Sequence, residues 1–370
     1  MIRVAFRNLF HSRTRLIVSL GGVALAMLLI LALDAIVAGT EQQMTAYIDH
    51  SGVDVIVSQA GVRTLHMSSS SLPASDVSWV RSEPGVAAVT PILYVTNTIV
   101  AGDQSSLAYI IGLPAGAGAG GPWQMDAGRA IPGRGEAVID AAIARSDGGG
   151  LGATVTILGR PFTISGLASG TTTLTNSVAF ISFDDFAEIR GAPDTVSYLL
   201  VKSQPGVAAA DLAAQLARDV PGVTAQTRNG FAAQERQVVD DMSTDLISIM
   251  DTIGLTIGLA VMALTVYTAT LSRRAEYGVL KALGARLAQL YRVVLAQAYM
   301  SVALGFALGV ALTGALTLAV PRMASNIAMT MSVGALVKVG VVSFVIAGLS
   351  AVLPIRQIAR VDPAQVFKGR

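Results

Sequence analysis

The chain has 370 residues, 52% of them hydrophobic and 14% charged, and its mean hydropathy is +0.60. Globular domains average about 25% charged residues, so this composition excludes an ordinary soluble domain and fits a membrane protein with a sizeable polar insert. The absence of cysteine excludes disulfides, zinc thiolate sites and cysteine nucleophiles, so an outer domain must be held by its core alone.

Residues 1–15 are short and basic and fit an interfacial helix, with Ile2, Ala5, Phe6, Leu9 and Phe10 on one face and Arg3 and Arg7 on the other. Residues 16–33 carry no charge, and the apolar pattern continues to about residue 37. The run is longer than a signal-peptide core and lacks a clear cleavage site, so a retained first span is expected over 16–38, with the N-terminus inside. Residues 39–228 then form an extracytoplasmic α+β domain. Strand-like runs fall near residues 53–58, 86–94, 107–111, 137–139, 154–158, 162–165, 178–181, 196–201 and 223–227, with helices near 74–82, 184–189 and 207–219. Glu83-Pro84-Gly85-Val86 and Val220-Pro221-Gly222-Val223 each follow a short helix and open a strand, which suggests two β-α-β units pairing around a smaller β-rich subdomain at about 96–193. Residues 114–122, Pro-Ala-Gly-Ala-Gly-Ala-Gly-Gly-Pro, read as a loop. From residue 229 a helical pattern runs on into the second span at 252–271, and its outer part at 229–251 reads as a stalk.

Residues 272–292 follow, a short segment between two charge-free runs long enough to cross a bilayer. Five basic residues (Arg273, Arg274, Lys281, Arg286, Arg292) against Glu276 place it on the cytoplasmic side. Within it, Arg274-Ala275-Glu276-Tyr277-Gly278-Val279-Leu280-Lys281-Ala282-Leu283-Gly284-Ala285 resembles the coupling-helix signature of the MacB/FtsX/LolC-type ABC permeases, with Tyr277 where that family usually has Ile. An ordinary basic loop explains the charges but not the Glu-x-Gly-x-x-Lys-x-x-Gly spacing. The resemblance implies that this segment docks on a cytosolic ATPase. Val279, Leu280 and Leu283 offer a small apolar face for a groove, and Gly284 suits a left-handed helix stop.

The third span is expected at 293–320, a short outer loop at 321–332, the fourth span at 333–355 with Lys338 near its outer end, and a cytoplasmic tail at 356–370. The charge distribution supports this topology: 20 of 24 acidic residues lie between Glu41 and Asp245 beside 11 basic ones, whereas the cytoplasmic pieces hold 13 basic residues and two acids. It also argues against nucleic-acid binding by the large domain. Gly254-x-x-x-Gly258 and Gly305-x-x-x-Gly309 permit close helix packing within the spans.

Catalytic chemistry is not apparent. None of the four lysines follows a glycine, so no Walker loop exists. His11, His50 and His66 do not cluster, and solvated histidines are favoured over a haem or metal site. Ser68-Ser-Ser-Ser71 reads as a loop, and Asp34 and Asp251 read as interfacial carboxylates rather than a proton relay. The chain is thus expected to be no enzyme and to bind no cofactor or metal; ATP and Mg belong to the ATPase that the resemblance implies. The fold expected is an α-helical membrane protein with four transmembrane helices and an α+β extracytoplasmic domain between spans one and two, in the bacterial cytoplasmic membrane with both termini inside.

The resemblance implies a permease subunit of an ABC transporter: two permease copies, two ATPase subunits, and mechanotransmission to the outer domains for export or extraction of a hydrophobic or amphipathic substrate. A periplasmic adaptor or extracytoplasmic binding protein stays open as a further partner, beside membrane lipid. Two alternatives remain at this point. One is an FtsX-like regulator of an extracytoplasmic enzyme that transports nothing; the other is a membrane sensor or receptor with no ATPase.

Overall fold

The structure is a computed structural model that describes residues 13–65, 69–102, 104–146, 149–172, 177–271, 279, 285–323 and 327–351. The chain divides into two compact units. The first comprises Met1–Gly39, Ser243–Met323 and Met329–Arg370, and the second Thr40–Met242 and Ala324–Ala328.

The second unit is built on one large sheet. In chain order its elements are β1 (Val55–Gln59), β2 (Leu72–Pro73), α2 (Ser75–Ser82), β3 (Val86–Ala101), β4 (Gln104–Leu113), β5 (Met125–Gly128), β6 (Glu136–Asp140), α3 (Ala141–Ser146), β7 (Thr154–Ile157), β8 (Arg160–Ala168), β9 (Ser177–Ser182), α4 (Phe183–Arg190), β10 (Thr195–Val196), β11 (Tyr198–Ser203), α5 (Ala209–Asp219) and β12 (Val223–Thr227). The sheet order is β12-β1-β11-β3-β4-β9-β6-β8-β5. At its first end, β1 lies antiparallel between β11 and β12, and β11 lies antiparallel between β1 and β3. The units β1-α2-β3 and β11-α5-β12 are therefore both split β-α-β units, each receiving a strand of the other in its gap. The two Pro-Gly turns play the same part in each unit: Gly85 and Gly222 take φ of 88° and 77°, a left-handed conformation that side chains disfavour.

The 16-residue strand β3 belongs to both lobes of the unit. Its first half pairs with β11 through Ile92, and its second half pairs with β4 from Leu93 onward. The lobe boundary thus falls inside a strand, between Ile92 and Leu93. Beyond it, β7 pairs with β3 at Ile99 and Val100 and with β8 along its length, so β3, β4, β9, β6, β8 and β7 close into a ring. Closure removes exposed edges and leaves one face of each strand pointing inward. Ile99, Ile110, Ile139, Val155, Phe162 and Ile181 fill that interior together with Phe186 of α4. Helix α4 starts at an N-cap, where Ser182 Oγ accepts from Asp185 N–H at 3.1 Å, and ends at Gly191 with φ 66°.

The first unit is helical. It contains most of α1 (Arg13–Asp49) and of α6 (Arg228–Leu271), together with α7 (Leu287–Met323) and α8 (Val333–Ser350). Its core joins Val23, Met27, Ile30 and Leu31 of α1 to Val294, Ala298 and Val302 of α7 and to Val339 and Ile346 of α8. Leu25 and Leu29, Leu304 and Leu308, and Val341 and Phe344 face outward. Apolar residues on both faces suit a solvent of hydrocarbon. Leu20–Asp49 and Leu287–Val320 are long and apolar enough to cross a membrane by length and composition, and Val333–Leu349 is apolar but shorter.

Two boundaries differ from the sequence reading. Helix α1 passes through Gly39 and runs on to Asp49, and α7 passes through Pro321 to Met323. An interior glycine costs about 1 kcal/mol. Tyr47 and Ile48, both buried in the core of the second unit, outweigh that cost.

Candidate functional site

The segment expected to dock on an ATPase lies largely outside the described residues. This holds for Arg274, Glu276, Tyr277, Gly278, Leu280, Lys281, Ala282, Leu283 and Gly284. Val279 is helical and exposed, and Ala285 packs against the core of the helical unit. Helix α7 begins just after it, where Gln289 Oε1 accepts from the Arg286 N–H at 3.1 Å.

Small residues lie at contacts between helices of the helical unit. A Cβ placed on Gly309 would lie 2.7 Å from Met27 Cβ, and one on Gly305 would collide with Val23. Both glycines of α7 therefore face α1. On α6, a Cβ at Gly254 would lie 2.6 Å from Ile30 Cγ1. Gly258 lies in the same helix, outside the residues whose side-chain surroundings are described. Gly22 belongs to this set as well, since its Cβ would come 2.5 Å from Val261 Cγ1; as one member of a Gly-Gly pair with no partner at i+4, it carried no spacing signal. Helix α1 is thus contacted by α6 and α7, and Ser343 of α8 donates to Met27 Sδ at 3.0 Å.

At their other ends α1 and α6 are rooted in the second unit, where the sheet's period-two alternation decides what they meet. On β1, Val55 and Val57 face α2 and α5, while Ile56 faces the opposite way; on β11, Leu199 and Val201 face α2 and α5, while Tyr198 and Leu200 face the roots. The face that α2 and α5 leave bare is covered by Tyr47 and Ile48 of α1 and by Phe231 and Ala232 of α6.

The two roots share that core, and each makes further contacts of its own. Tyr47 packs on Phe180 of the ring lobe with centroids 6.4 Å apart, and its hydroxyl donates to the Gly120 carbonyl at 3.0 Å. Gln43 Nε2 donates to the Thr172 carbonyl at 3.4 Å, and the His50 ring stacks on Trp123 at 5.1 Å. Phe231 meets Tyr198 of the split lobe edge to face at 6.1 Å. The Arg228 N–H donates to the Asp54 carbonyl at 2.9 Å, and the fully buried Glu235 accepts from the Leu65 N–H at 2.7 Å. Burial holds the Tyr198 phenol above its ordinary range, so it stays protonated and donates to the Thr64 carbonyl at 3.1 Å. The roots are tied to each other as well: Arg236 lies 3.8 Å from Asp49 and 3.3 Å from Thr45 Oγ1, and Thr45 Oγ1 donates to Asp49 at 2.8 Å.

Sequence reasoning placed Phe231, Glu235 and Arg236 on a stalk but did not find Tyr47, Gly120, Trp123 or Tyr198 as their surroundings. Tyr47 and Gly120 are 73 positions apart, a separation with no local signature. Of the histidines, His50 is exposed, and His11 and His66 lie outside the described residues. Among the described residues no three His, Asp or Glu side chains gather as a metal site. Asp34 and Asp251 lie on α1 and α6.

Comparison with known proteins matches residues 16–219 to the MacB-like periplasmic core domain and residues 248–363 to the FtsX-like permease C-terminal domain. The chain belongs to the MacB/FtsX-like family of ABC transporter permeases. Along its whole length this permease is 24% identical, over 377 residues, to an uncharacterized ABC transporter permease from two strains of Mycobacterium tuberculosis, each also covered over 100% of its length. Among solved structures, the periplasmic region of MacB from Actinobacillus actinomycetemcomitans is similar to it at 16% identity, with a TM-score of 0.37, over 50% of this chain and 92% of that one. The extracellular domain of the noncanonic ABC-type transporter YknZ from Gram-positive bacteria gives 15% identity, a TM-score of 0.35, and coverage of 47% and 98%. The permease's α+β outer domain and apolar helices agree with that membership, which implies membrane embedding and an ATPase partner.

Proposed function

We propose that this permease transmits the work of a separate ATPase to its outer domain, and that it does so for export or extraction of a hydrophobic or amphipathic substrate. In this reading the chain spans the cytoplasmic membrane four times with both termini inside, pairs with a second permease copy, and takes two ATPase subunits at residues 272–292. The observation that carries the reading is that α1 and α6 are each one unbroken helix, apolar over the expected spans and rooted by buried residues in one shared core of the outer domain. A movement of either helix along its axis would act on that core, with Arg236 and Asp49 coupling the two helices.

The experiment has two parts. Capture of the ATPase by detergent-solubilised permease is measured at two ionic strengths. Glu276→Lys should weaken capture in a salt-sensitive way, because a carboxylate near the start of the expected helix would be favoured by the dipole and would meet a cation on the ATPase. Gly284→Val should weaken it at both, because a β-branched residue tolerates a left-handed turn poorly. Insertion of Gly-Gly after Asp241 should leave capture intact and lower ATP-dependent output. Wild-type capture by both point variants would remove the docking site from 272–292, and unchanged output after the insertion would mean that α6 carries no motion.

A further inference from the structure

We propose that the outer unit carries a binding site for a small ligand with a carboxylate head on an apolar body. The site is a cavity of about 610 Å³ in the split lobe, bounded by β3, β11, Arg81 of α2 and the loop at 114–119. Its volume falls within the roughly 300–1,000 Å³ of small-molecule sites. Val53 and Leu200 supply apolar lining. One wall is Pro-Ala-Gly-Ala-Gly-Ala, where no side chain is larger than a proline ring, so the backbone itself forms the surface. That wall is held in place at Gly120. The glycine's N–H donates to the Ser51 carbonyl at 2.9 Å and its carbonyl accepts from Tyr47, while φ of 80° and a Leu200 methyl 2.5 Å from any added Cβ exclude another residue there.

The charge of the lining is one-sided. Among the described residues, Arg81 and Lys202 are its charged members, and no aspartate or glutamate lines it. Arg81 has no ion-pair partner among the described residues. Lys202 lies 3.3 Å from Asp54, but that carboxylate already accepts from the Ser203 N–H at 3.0 Å and from its hydroxyl at 2.9 Å. The half-exposed ammonium keeps donors for a second anion. A carboxylate entering between the two cations gains charge-assisted hydrogen bonds, while its apolar body lies along Val53 and Leu200. A neutral head forgoes that gain, and a cationic one is repelled. This inference is independent of how the permease is driven.

A short fatty acid and the C-terminus of an apolar peptide both present this chemistry. The full chain in lipid nanodiscs is titrated calorimetrically with four probes: hexanoate, N-acetyl-leucyl-leucine, the C-terminal amide of that peptide, and hexylammonium. Saturable binding of an acid is expected, with no binding of the amide or the amine. Hexanoate alone would assign a fatty-acid source, and the peptide acid alone a peptide source. The double variant Arg81→Gln, Lys202→Gln should weaken the acid by at least about tenfold. Ala88→Phe, on an exposed strand position lining the cavity, should abolish binding by filling it, and Ala115→Leu in the exposed loop provides a second filling variant should Ala88→Phe fail to fold. Failure of both acids to bind, equal binding of the amide or the amine, or full binding in a folded filling variant would each overturn the proposal.

Discussion

Replacing Phe231 by alanine tests whether α6, most of which belongs to the helical unit, is part of the outer domain's core. Phe231 is fully buried and meets Tyr198 edge to face at 6.1 Å. Truncating a buried phenylalanine costs about 3–5 kcal/mol, of which the ring pair accounts for about 0.5–1.5 kcal/mol. The chain's two tryptophans, Trp79 and Trp123, both lie in the second unit, so their emission reports its unfolding alone. With a urea dependence of about 2 kcal/mol per molar, the loss should lower the unfolding midpoint of the solubilised chain by about 1.5–2.5 M. Leu264→Ala, at an exposed position farther along the same helix, should leave that midpoint unchanged. A shift below about 0.5 M for Phe231→Ala, or equal shifts for both variants, would show that the helix merely touches the domain.

Three further outcomes are expected. Burial tends to raise the Asp185 carboxyl, but the Ser182 hydroxyl, the Gly135 N–H and Arg134 outweigh it and hold the group below its ordinary value; Asp54 is held down in the same sense by Ser203 and Lys202. A folded-state value below the unfolded one contributes stability that is present above about pH 4 and lost as pH falls through the folded value, so Asp185→Asn should flatten the acid decline of the urea midpoint, and an unchanged slope would refute the assignment. Gly309→Leu should cost about 1–3 kcal/mol by overpacking against Met27, read as a lower temperature for loss of the monodisperse peak on size exclusion, whereas Gly314→Ala, with nothing within 4 Å of the added methyl, should be neutral or slightly stabilising. A topology reporter after Gly120 should read outside and one after Ala285 or Arg370 inside; a cytoplasmic signal at Gly120 would exclude the four-span reading.

Hydropathy and charge are properties of short windows, so the sequence alone separates the apolar runs, the acidic insert and the basic segment at 272–292. Period-two alternation is equally local, and the strand-like runs expected from it coincide with β1, β3, β4, β6 to β9, β11 and β12. Of the strands it missed, β5, Met-Asp-Ala-Gly, holds no β-branched or aromatic residue, and β2 and β10 have two residues each, too few for any period to register. Helix α3 was missed for the same reason: its six residues follow Asp140, whose carboxylate accepts from Ala142 N–H at 2.8 Å and from Thr171 N–H and hydroxyl at 2.9 and 2.7 Å. The echoed Pro-Gly turns suggested two β-α-β units, yet nothing in either unit says that β1 inserts between β11 and β12, or that β7 closes a ring by reaching β3. Those choices join residues more than 50 positions apart, as Ile99 and Ile157 are. They are made where side chains from distant segments exclude water together. The same applies to the helix roots: Tyr47 continues α1 past Gly39 because Phe180 and Gly120 are there to receive it, and only the folded sheet brings them to that place.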